Sequence, residues 1–273
     1  MRTTWKFAVI VSAVALVVSC GNGDPNPSQS TSPTPTSTET NAVFYFVADT
    51  PLGFKLFQET HVVNTLQPIA IEALNRLVDG SESPIDPDYT NLWGNGSCVS
   101  GLTIVDELAT VDFGKVSLNV GSSAEIMAIE QIVWTLTANN PAIEKVRFTL
   151  NGEPMESLAG HVDTTGTFTR GEGYEVLSAV NILIPADSSV LSGSVTVSGL
   201  ACTFEANVAW KLLQDGDVVD SGSTLSAEAC PVTAPWEVEL GLLETGNYEF
   251  QALEYSMKDG SLAAIDTKTF VIE

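Results

Sequence analysis

The sequence predicts a two-domain protein in which an α+β domain is followed by an all-β sandwich. Its length of 273 residues suits two modest domains, and a hydrophobic content of 44% is enough for packed cores. Up to about residue 155, stretches with helical spacing of apolar residues are interspersed with short strands. From about Val176 onward, apolar and polar residues alternate as in strands with one buried face. We therefore predict the domains at 43–155 and 176–273.

Residues 1–19 have the layout of a lipoprotein signal peptide. Arg2 and Lys6 make the start positive, and the apolar run FAVIVSAVALVV occupies 7–18. A run of this length is too short to span about 30 Å of hydrocarbon as a lasting helix. We therefore predict that this leader directs export and is removed.

Cys20 ends the leader in a pattern that resembles a lipobox, since Val17, Val18 and Ser19 precede it and Gly21 follows. In proteins with that motif the thiol receives a diacylglycerol, and cleavage leaves the acylated cysteine at the mature N-terminus. The resemblance implies a lipid anchor at Cys20, with acyl chains such as palmitate, on the extracytoplasmic face of the cell membrane. Because each buried methylene contributes roughly 0.8 kcal/mol, two or three chains hold firmly. The alternative is an ordinary secretory peptide.

The segment 20–42 is predicted to be a disordered linker. It consists almost entirely of polar residues and proline, GNGDPNPSQSTSPTPTSTETN at 21–41, and has too few apolar residues to form a core. A second linker or extended loop is predicted at 156–175, where glycines recur without proline.

Two helices and five strands are predicted in the first domain. One helix has Pro68 in its first turn and ends at Gly80. The other begins with a capping box of Ser122 and Glu125 and ends at 139–141. Its predicted apolar face consists of Ile126, Ile129, Val133 and Leu136. The predicted strands are 43–47, 55–63, 102–106, 109–113 and 146–150, with a polar loop at 81–97.

Seven strands are predicted in the second domain, which is the number of a small β-sandwich. The dipeptides Asp215-Gly216 and Asp259-Gly260 are typical of two-residue hairpin turns. The predicted strands are 178–184, 193–200, 204–213, 217–225, 235–240, 247–256 and 262–272, the third having Phe204 on its buried face.

The first domain resembles the GerMN domain of sporulation and spore germination proteins. The resemblance lies in VFYFV at 43–47, IEALNRLVDG at 71–80, ATVDFG at 109–114 and EQIVWTLTANNPAIEKVRFTLNG at 130–152.

The second domain resembles the immunoglobulin-like domain associated with bacterial spore germination proteins. This likeness lies in SGSVTVSGLACTFEANVAWKLLQDGDVV at 192–219 and GNYEFQALEYSMKDGS at 246–261. The two resemblances together imply an α+β GerMN-like domain followed by an immunoglobulin-like sandwich. They imply non-catalytic binding modules, and a role in sporulation or germination only by analogy.

Three cysteines remain once Cys20 is assigned to lipid. Cys202 and Cys230 lie in one predicted domain and are favoured as a disulfide, which would stabilise the fold by about 3 kcal/mol. A bridge from Cys98 to either of them, or three reduced thiols, remain as alternatives.

The polar loop at 81–97 is the candidate ligand site, because it places acidic residues beside Tyr89 and Trp93. Aromatic rings beside carboxylates recur in sugar-binding surfaces, so Trp93 is a candidate ligand contact. The alternative is a solvated loop whose Trp93 lies in the core.

No metal site, cofactor or catalytic residue is predicted. The two histidines, His61 and His161, have no Cys or His partner at metal-binding spacing and are expected on the surface or an edge strand. The sequence also has no nucleophile elbow and no phosphate-binding glycine loop, which argues against an enzyme.

The charge balance restricts the partners. A formal net charge of -23 repels nucleic acid, so none is expected as a partner. We expect a cell-envelope protein that contacts the membrane through its lipid and binds envelope protein or peptidoglycan. The alternative is an extracellular capture protein for a small ligand or carbohydrate, serving a transporter or sensor.

Overall fold

A computed structural model describes residues 16–17 and 37–273 of the chain. Cys20, nearly all of the predicted leader and most of the predicted linker lie outside the described residues. The described part forms an α+β domain followed by a β-sandwich, which confirms the predicted fold class. Within these ranges, no helix has the length and apolar character needed to cross a membrane.

The first domain has two helices packed against each other and against β-strands. Its elements are β1 (Leu16–Val17), β2 (Thr38–Thr50), β3 (Gly53–Thr65), α1 (Ile69–Asp79), β4 (Cys98–Val105), β5 (Leu108–Lys115), α2 (Ser122–Asn139), β6 (Lys145–Leu150) and β7 (Glu153–Pro154). Strands β2 and β3 form a long hairpin, and the other sheet has the order β1-β4-β5-β6-β7. Strands β5 and β6 are parallel, with α2 as the crossover between them.

The two-residue strand β1 lies in the predicted signal peptide. It pairs with β4 opposite Gly101 and Leu102. In a chain cleaved before Cys20 this pairing does not exist.

Helix α1 has the bounds that its flanking residues predict. Pro68 precedes it with φ -53°, and Gly80 follows in the left-handed conformation with φ 77°. The predicted apolar face is buried against the core, and it consists of Ala70, Ala73, Leu74 and Leu77.

The capping box predicted for α2 is wrong. The helix begins after Gly121 without a side-chain hydrogen bond at its cap. The carboxylate of Glu125 accepts hydrogen bonds from the 157–161 segment instead. Several donors on one carboxylate satisfy its buried charge better than a single cap bond would. Ile126, expected on the apolar face, is 50% exposed.

The second domain is a sandwich of a three-stranded and a five-stranded sheet. A short helix α3 (Gly173–Val176) precedes it. Its strands are β8 (Val180–Ile184), β9 (Ser189–Leu191), β10 (Ser194–Ala201), β11 (Asn207–Gln214), β12 (Asp217–Leu225), β13 (Ala234–Leu242), β14 (Gly246–Tyr255) and β15 (Leu262–Ile272). The sheet orders are β13-β10-β8 and β12-β11-β14-β15-β9.

The sandwich differs from the prediction in three details. Asp259-Gly260 is not a two-residue hairpin turn, because the last paired residues of β14 and β15 are Tyr255 and Leu262 and the connection between them is longer. Phe204–Ala206 form a turn with positive φ at Glu205 and Ala206 instead of the start of a strand, so Phe204 is 54% exposed and not on a buried face. The additional strand β9 pairs in parallel with the end of β15. It is too short to have an alternating pattern in the sequence.

The first predicted linker is shorter than expected, and the second is a loop, which is one of its two predicted forms. Strand β2 begins at Thr38, inside the predicted linker 20–42, because its first residues pair with the end of β3 near Thr65. The segment 156–175 is an ordered loop on the first domain. Phe168 exchanges backbone hydrogen bonds of 2.8 and 2.7 Å with Val146, and Glu125 holds the start of the segment.

Candidate functional site

Lys268 lies at the boundary between the two domains, where its charge is surrounded by protein. It belongs to β15 of the second domain and is 2% exposed. Its ammonium donates a hydrogen bond to Asp86 Oδ2 of the first domain. It also donates to Tyr89 Oη of the same domain, at a distance of 2.7 Å. It lies 3.3 Å from Asp266 Oδ1 of its own strand. We call Asp86, Tyr89, Asp266 and Lys268 the interdomain ion cluster.

Asp266 connects this cluster to the sandwich. Tyr89 Oη donates to Asp266 Oδ1 at 2.7 Å, and the Asn181 amide donates to the other carboxylate oxygen at 3.2 Å. Asn181 in turn accepts a hydrogen bond of 2.7 Å from the backbone amide of Gln58 in the first domain. In this network, each domain therefore donates two hydrogen bonds across the boundary to the other domain.

Burial and the opposite charges act against each other at these groups. Burial lowers the pKa of Lys268, but the carboxylates of Asp266 and Asp86 outweigh it and raise that pKa above the usual value. Burial raises the pKa of Asp86, and the proximity of Lys268 opposes this effect. The pKa of Tyr89 is raised well above 10.0, first by burial and then by both carboxylates. Lys268 is therefore charged and Tyr89 is a neutral donor.

The loop at 80–97, between α1 and β4, carries Asp86 and Tyr89 into this position. The carboxylate of Glu59 in β3 accepts hydrogen bonds from the backbone amides of Ile85 at 2.8 Å and Asp86 at 2.9 Å. Thr90 exchanges backbone hydrogen bonds with Val47 of β2. The loop is thus fixed to the hairpin on both sides of Tyr89.

His61 lies behind Glu59 in the same polar network. Its two ring nitrogens are each 2.7 Å from a carboxylate oxygen, one of Glu59 and one of Glu82. Burial lowers the pKa of His61, but the hydrogen bonds and charges of the two carboxylates outweigh this and raise it. At 6% exposure the side chain is not on the surface, but it lies on β3 of the two-stranded β2–β3 sheet, so the edge-strand position is confirmed. The two carboxylates compensate the charge of an imidazolium.

An apolar contact accompanies the polar links. Leu177, which directly precedes the sandwich, packs against Leu56 and Trp134 of the first domain. The backbone amide of Ser178 donates to the Leu56 carbonyl at 3.0 Å. The end of the connection between the domains, at Leu177 and Ser178, is therefore packed against the first domain.

A cleft of about 380 Å³ opens beside the ion cluster, between the tip of the β2–β3 hairpin, the 80–97 loop and β15. The stacked rings of Phe57 and Tyr89, with centroids 4.6 Å apart, lie at its base and are 2% and 5% exposed. The exposed residues Asp49 and Asp88 add carboxylates to its lining. This lining favours a small polar or cationic ligand over an anionic one.

Trp93 does not line this cleft. It is 4% exposed, stacks on Phe113 with centroids 5.5 Å apart, and donates its indole N–H to the Ala128 carbonyl at 2.9 Å. The structure therefore places the candidate ligand contact in the core, which was the alternative position for this side chain. Of the 81–97 loop, it is Asp86 and Tyr89 that reach the domain boundary.

The remaining predicted positions are distributed over the chain. Cys202 and Cys230 are joined by a disulfide, with 28 residues of sequence separation. This arrangement leaves no place for a bridge from Cys98 to either of them. Cys20, the predicted lipid site, is outside the described residues. Within the described ranges, no group of three or more His, Cys, Asp or Glu side chains could hold a metal ion.

Lys268 and Asp266 were missed by the sequence reasoning, although β15 contains a signal for them. Alternate residues of this strand point to one face, and that face includes Ala264, Phe270 and Ile272 together with Asp266 and Lys268. An acid and a base two residues apart on an apolar face indicate a buried ion pair.

Fold and site together define a class of protein with an α+β domain and a β-sandwich joined through a buried, charged boundary. Residues 43–156 match the family described as "Sporulation and spore germination". Residues 179–261 match the family described as "Immunoglobulin-like domain of bacterial spore germination". The chain therefore has the spore germination domain architecture, with one domain of each kind.

Solved structures are similar to parts of the chain at low identity. The first GerMN domain of the sporulation protein GerM from Bacillus subtilis is 20% identical, and the match covers 48% of this chain and 98% of that one with a TM-score of 0.40. The tandem GerMN domains of GerM are 14% identical, with 75% and 62% coverage and a TM-score of 0.39.

A candidate lipoprotein from Clostridium perfringens is 20% identical, with 48% and 87% coverage and a TM-score of 0.31. No curated protein matches the chain.

Proposed function

We propose that this protein is a lipid-anchored component of the cell envelope whose two domains act as one rigid, non-catalytic binding or scaffold unit. The observation that carries the proposal is the interdomain ion cluster. Its four side chains are at most 5% exposed and bond to one another across the boundary. Groups used in this way hold domains in a fixed relation rather than act on a substrate.

The proposed location rests on the first twenty residues. A positive start, a short apolar run and the lipobox-like Val17 to Cys20 are the pattern of an exported, acylated protein. Up to Ser37 the chain then continues as a stretch of Pro, Ser and Thr, which is a suitable spacer between a bilayer and a folded domain.

The two family matches support a role in sporulation or germination, since both families are described in those terms. We propose envelope protein or peptidoglycan as the partner. The net charge of -23 favours partners with basic surfaces over acidic ones.

Crosslinking in the native membrane, followed by purification of the intact protein, tests this function. We expect specific envelope proteins or peptidoglycan fragments to be recovered with the wild-type chain, and less recovery with Cys20→Ser, which retains the domains but lacks the lipid. Metabolic labelling with a fatty-acid probe should mark the wild type alone. Recovery of no partner, or equal labelling of both chains, would overturn the proposal.

The cleft beside the ion cluster favours a second candidate, capture of a small polar ligand for a transporter or sensor. Domain boundaries are frequent positions for such sites, and the exposed carboxylates of Asp49 and Asp88 line this one. A thermal-shift screen of sugars, amines and amino acids would test it, with Asp88→Asn as the variant expected to lose the response. A screen without any stabilising compound would remove this candidate.

A further inference from the structure

Strand β12 is an edge strand with an unusual degree of exposure. It occupies Asp217–Leu225 at the end of the five-stranded sheet, and its only strand partner within the described residues is β11. All but one of its residues are exposed, including Val218 at 54%, Val219 at 52% and Leu225 at 67%. The strand therefore presents both apolar side chains and an edge of backbone to solvent.

The two ends of β12 differ in how they are covered. Near its C-terminal end, Thr224 Oγ1 donates to the Glu237 carbonyl of β13 at 2.9 Å, which closes that corner of the sandwich. Further back, the backbone amide of Ser221 donates to the Asp220 side chain at 2.8 Å. Since this amide bonds to a side chain of its own strand, it lies on the edge that faces away from β11. The open part of the edge is 217–222.

The charges of β12 indicate what this edge can accept. Lysine, proline, a bulge or a covering element commonly protects the edge of a sheet. Strand β12 contains neither lysine nor proline, and its one register shift lies at 218–220, where Val219 has no partner in β11. Its charged residues are Asp217 and Asp220, and Glu237 and Glu239 are exposed on β13 nearby. A second copy of this edge would bring carboxylates against carboxylates. A strand with basic side chains would instead form opposite-charge pairs across the ladder.

We propose that the open edge of β12 binds an extended, Lys- or Arg-bearing segment of a partner protein, which joins the sheet as an additional strand. Backbone hydrogen bonds provide the affinity in this mode of recognition. Val218 and Val219 contact the apolar side chains of the segment, and Asp217 and Asp220 select its charge. This inference rests on the proposed function in one respect: the protein must bind a partner protein, and the inference specifies the chemistry of the segment that is bound.

Binding of three synthetic peptides to the full-length chain in detergent tests the surface. One peptide alternates Lys and Val, the second alternates Glu and Val, and the third replaces Val by Pro, so that it keeps the positive charge but cannot form a ladder. We expect the first peptide to bind at least about tenfold more tightly than either of the others. Equal binding of the Lys-Val and Lys-Pro peptides would show a purely electrostatic contact and overturn the proposal.

Two variants locate the binding. Ser221→Pro removes an amide that faces away from β11, so the sheet should remain intact while binding of the Lys-Val peptide falls by about tenfold or more. Asp217→Lys with Asp220→Lys should reverse the preference between the Lys-Val and Glu-Val peptides. The matched control, Glu153→Lys with Glu156→Lys, makes the same charge change on the exposed surface of the first domain.

The outcomes separate this surface from the proposed function. Unchanged binding in Ser221→Pro with an unchanged melting temperature, or the same effect in the control as in the β12 charge variant, would overturn the edge as the site. If none of the three peptides binds, β12 is overturned as the binding site as well. None of these results bears on lipid labelling or on recovery of envelope partners, which test the proposed function independently.

Discussion

Lys268 and Asp86 form an ion pair across the domain boundary, although they are 182 residues apart in the sequence and at most 3% of either side chain is exposed. Tyr89 lies against the same ammonium, with its ring centroid 4.3 Å away. Because the ammonium is buried with two carboxylates, its removal would leave uncompensated charges in the interface.

Lys268→Met should therefore lower the free energy of unfolding by about 3–5 kcal/mol, as is typical when one member of a buried ion pair is lost. Lys258→Met makes the same substitution at an exposed lysine and should change stability by less than about 0.5 kcal/mol. Urea denaturation of both variants measures the difference. Equal effects would show that the ion pair does not hold the domains together.

His61 should make stability decrease as the pH rises through its raised folded-state pKa. Its folded-state pKa lies above the usual 6.5, so its contribution is complete below that value and is lost as the pH rises through the raised one. NMR titration of the His61 imidazole measures the pKa directly. His61→Gln should remove this part of the pH dependence. A folded-state pKa below 6.5 would contradict the hydrogen-bonded imidazolium.

Gly80→Ala should destabilise the first domain by about 2–4 kcal/mol, since it combines two effects. Gly80 has a left-handed conformation, and a Cβ there would lie 2.8 Å from the Gly94 Cα. Gly53→Ala is a matched control, because Gly53 has φ +89° and nothing within 4 Å of the added atom. Thermal unfolding should show the larger loss for Gly80→Ala. The same loss in both variants would mean that the close approach to Gly94 is unimportant.

Glu125→Gln should release the start of the 156–175 segment. Burial raises the pKa of Glu125, but its hydrogen bonds from the backbone amides of Ala159, His161 and Leu158 and from the Ser157 hydroxyl outweigh this and lower it. The carboxylate therefore stabilises the fold above its unfolded-state pKa, and this contribution is lost as the pH falls.

Limited proteolysis at neutral pH should cut the Glu125→Gln variant within 156–165 faster than the wild type, by roughly tenfold. Glu153→Gln, an exposed glutamate, is the control and should be cut at the wild-type rate. If the wild type and Glu125→Gln are cut at the same rate, Glu125 does not hold the segment.

Local patterns in the sequence predict most of the secondary structure. Pro68 and Gly80 delimit α1, and the alternation around Val208 and Leu212 predicts β11 with its buried face. The turn at Asp215-Gly216 has positive φ at both residues, as a two-residue hairpin requires. These features depend on residues close in sequence, which is why a single sequence is enough to predict them.

The site depends on contacts that no local pattern contains. Asp86 lies in a polar loop, and its partner Lys268 lies in the last strand of the other domain. Glu125 has the spacing of a capping residue, yet donors from 157–161 take its carboxylate. Trp93 was placed in a loop beside carboxylates, and only the packing against Phe113 decides that it is buried. Contacts between residues that are far apart in the sequence determine each of these positions.

We infer that the interdomain ion cluster makes the two domains move as one body. Backbone ¹⁵N relaxation of the full-length chain in detergent tests this inference, because it gives a rotational correlation time for each domain separately. We expect the same correlation time for 43–155 and 176–273, and a separation of the two values in Lys268→Met. Two different, shorter values in the wild type would show that the domains tumble independently and that the cluster does not hold them together.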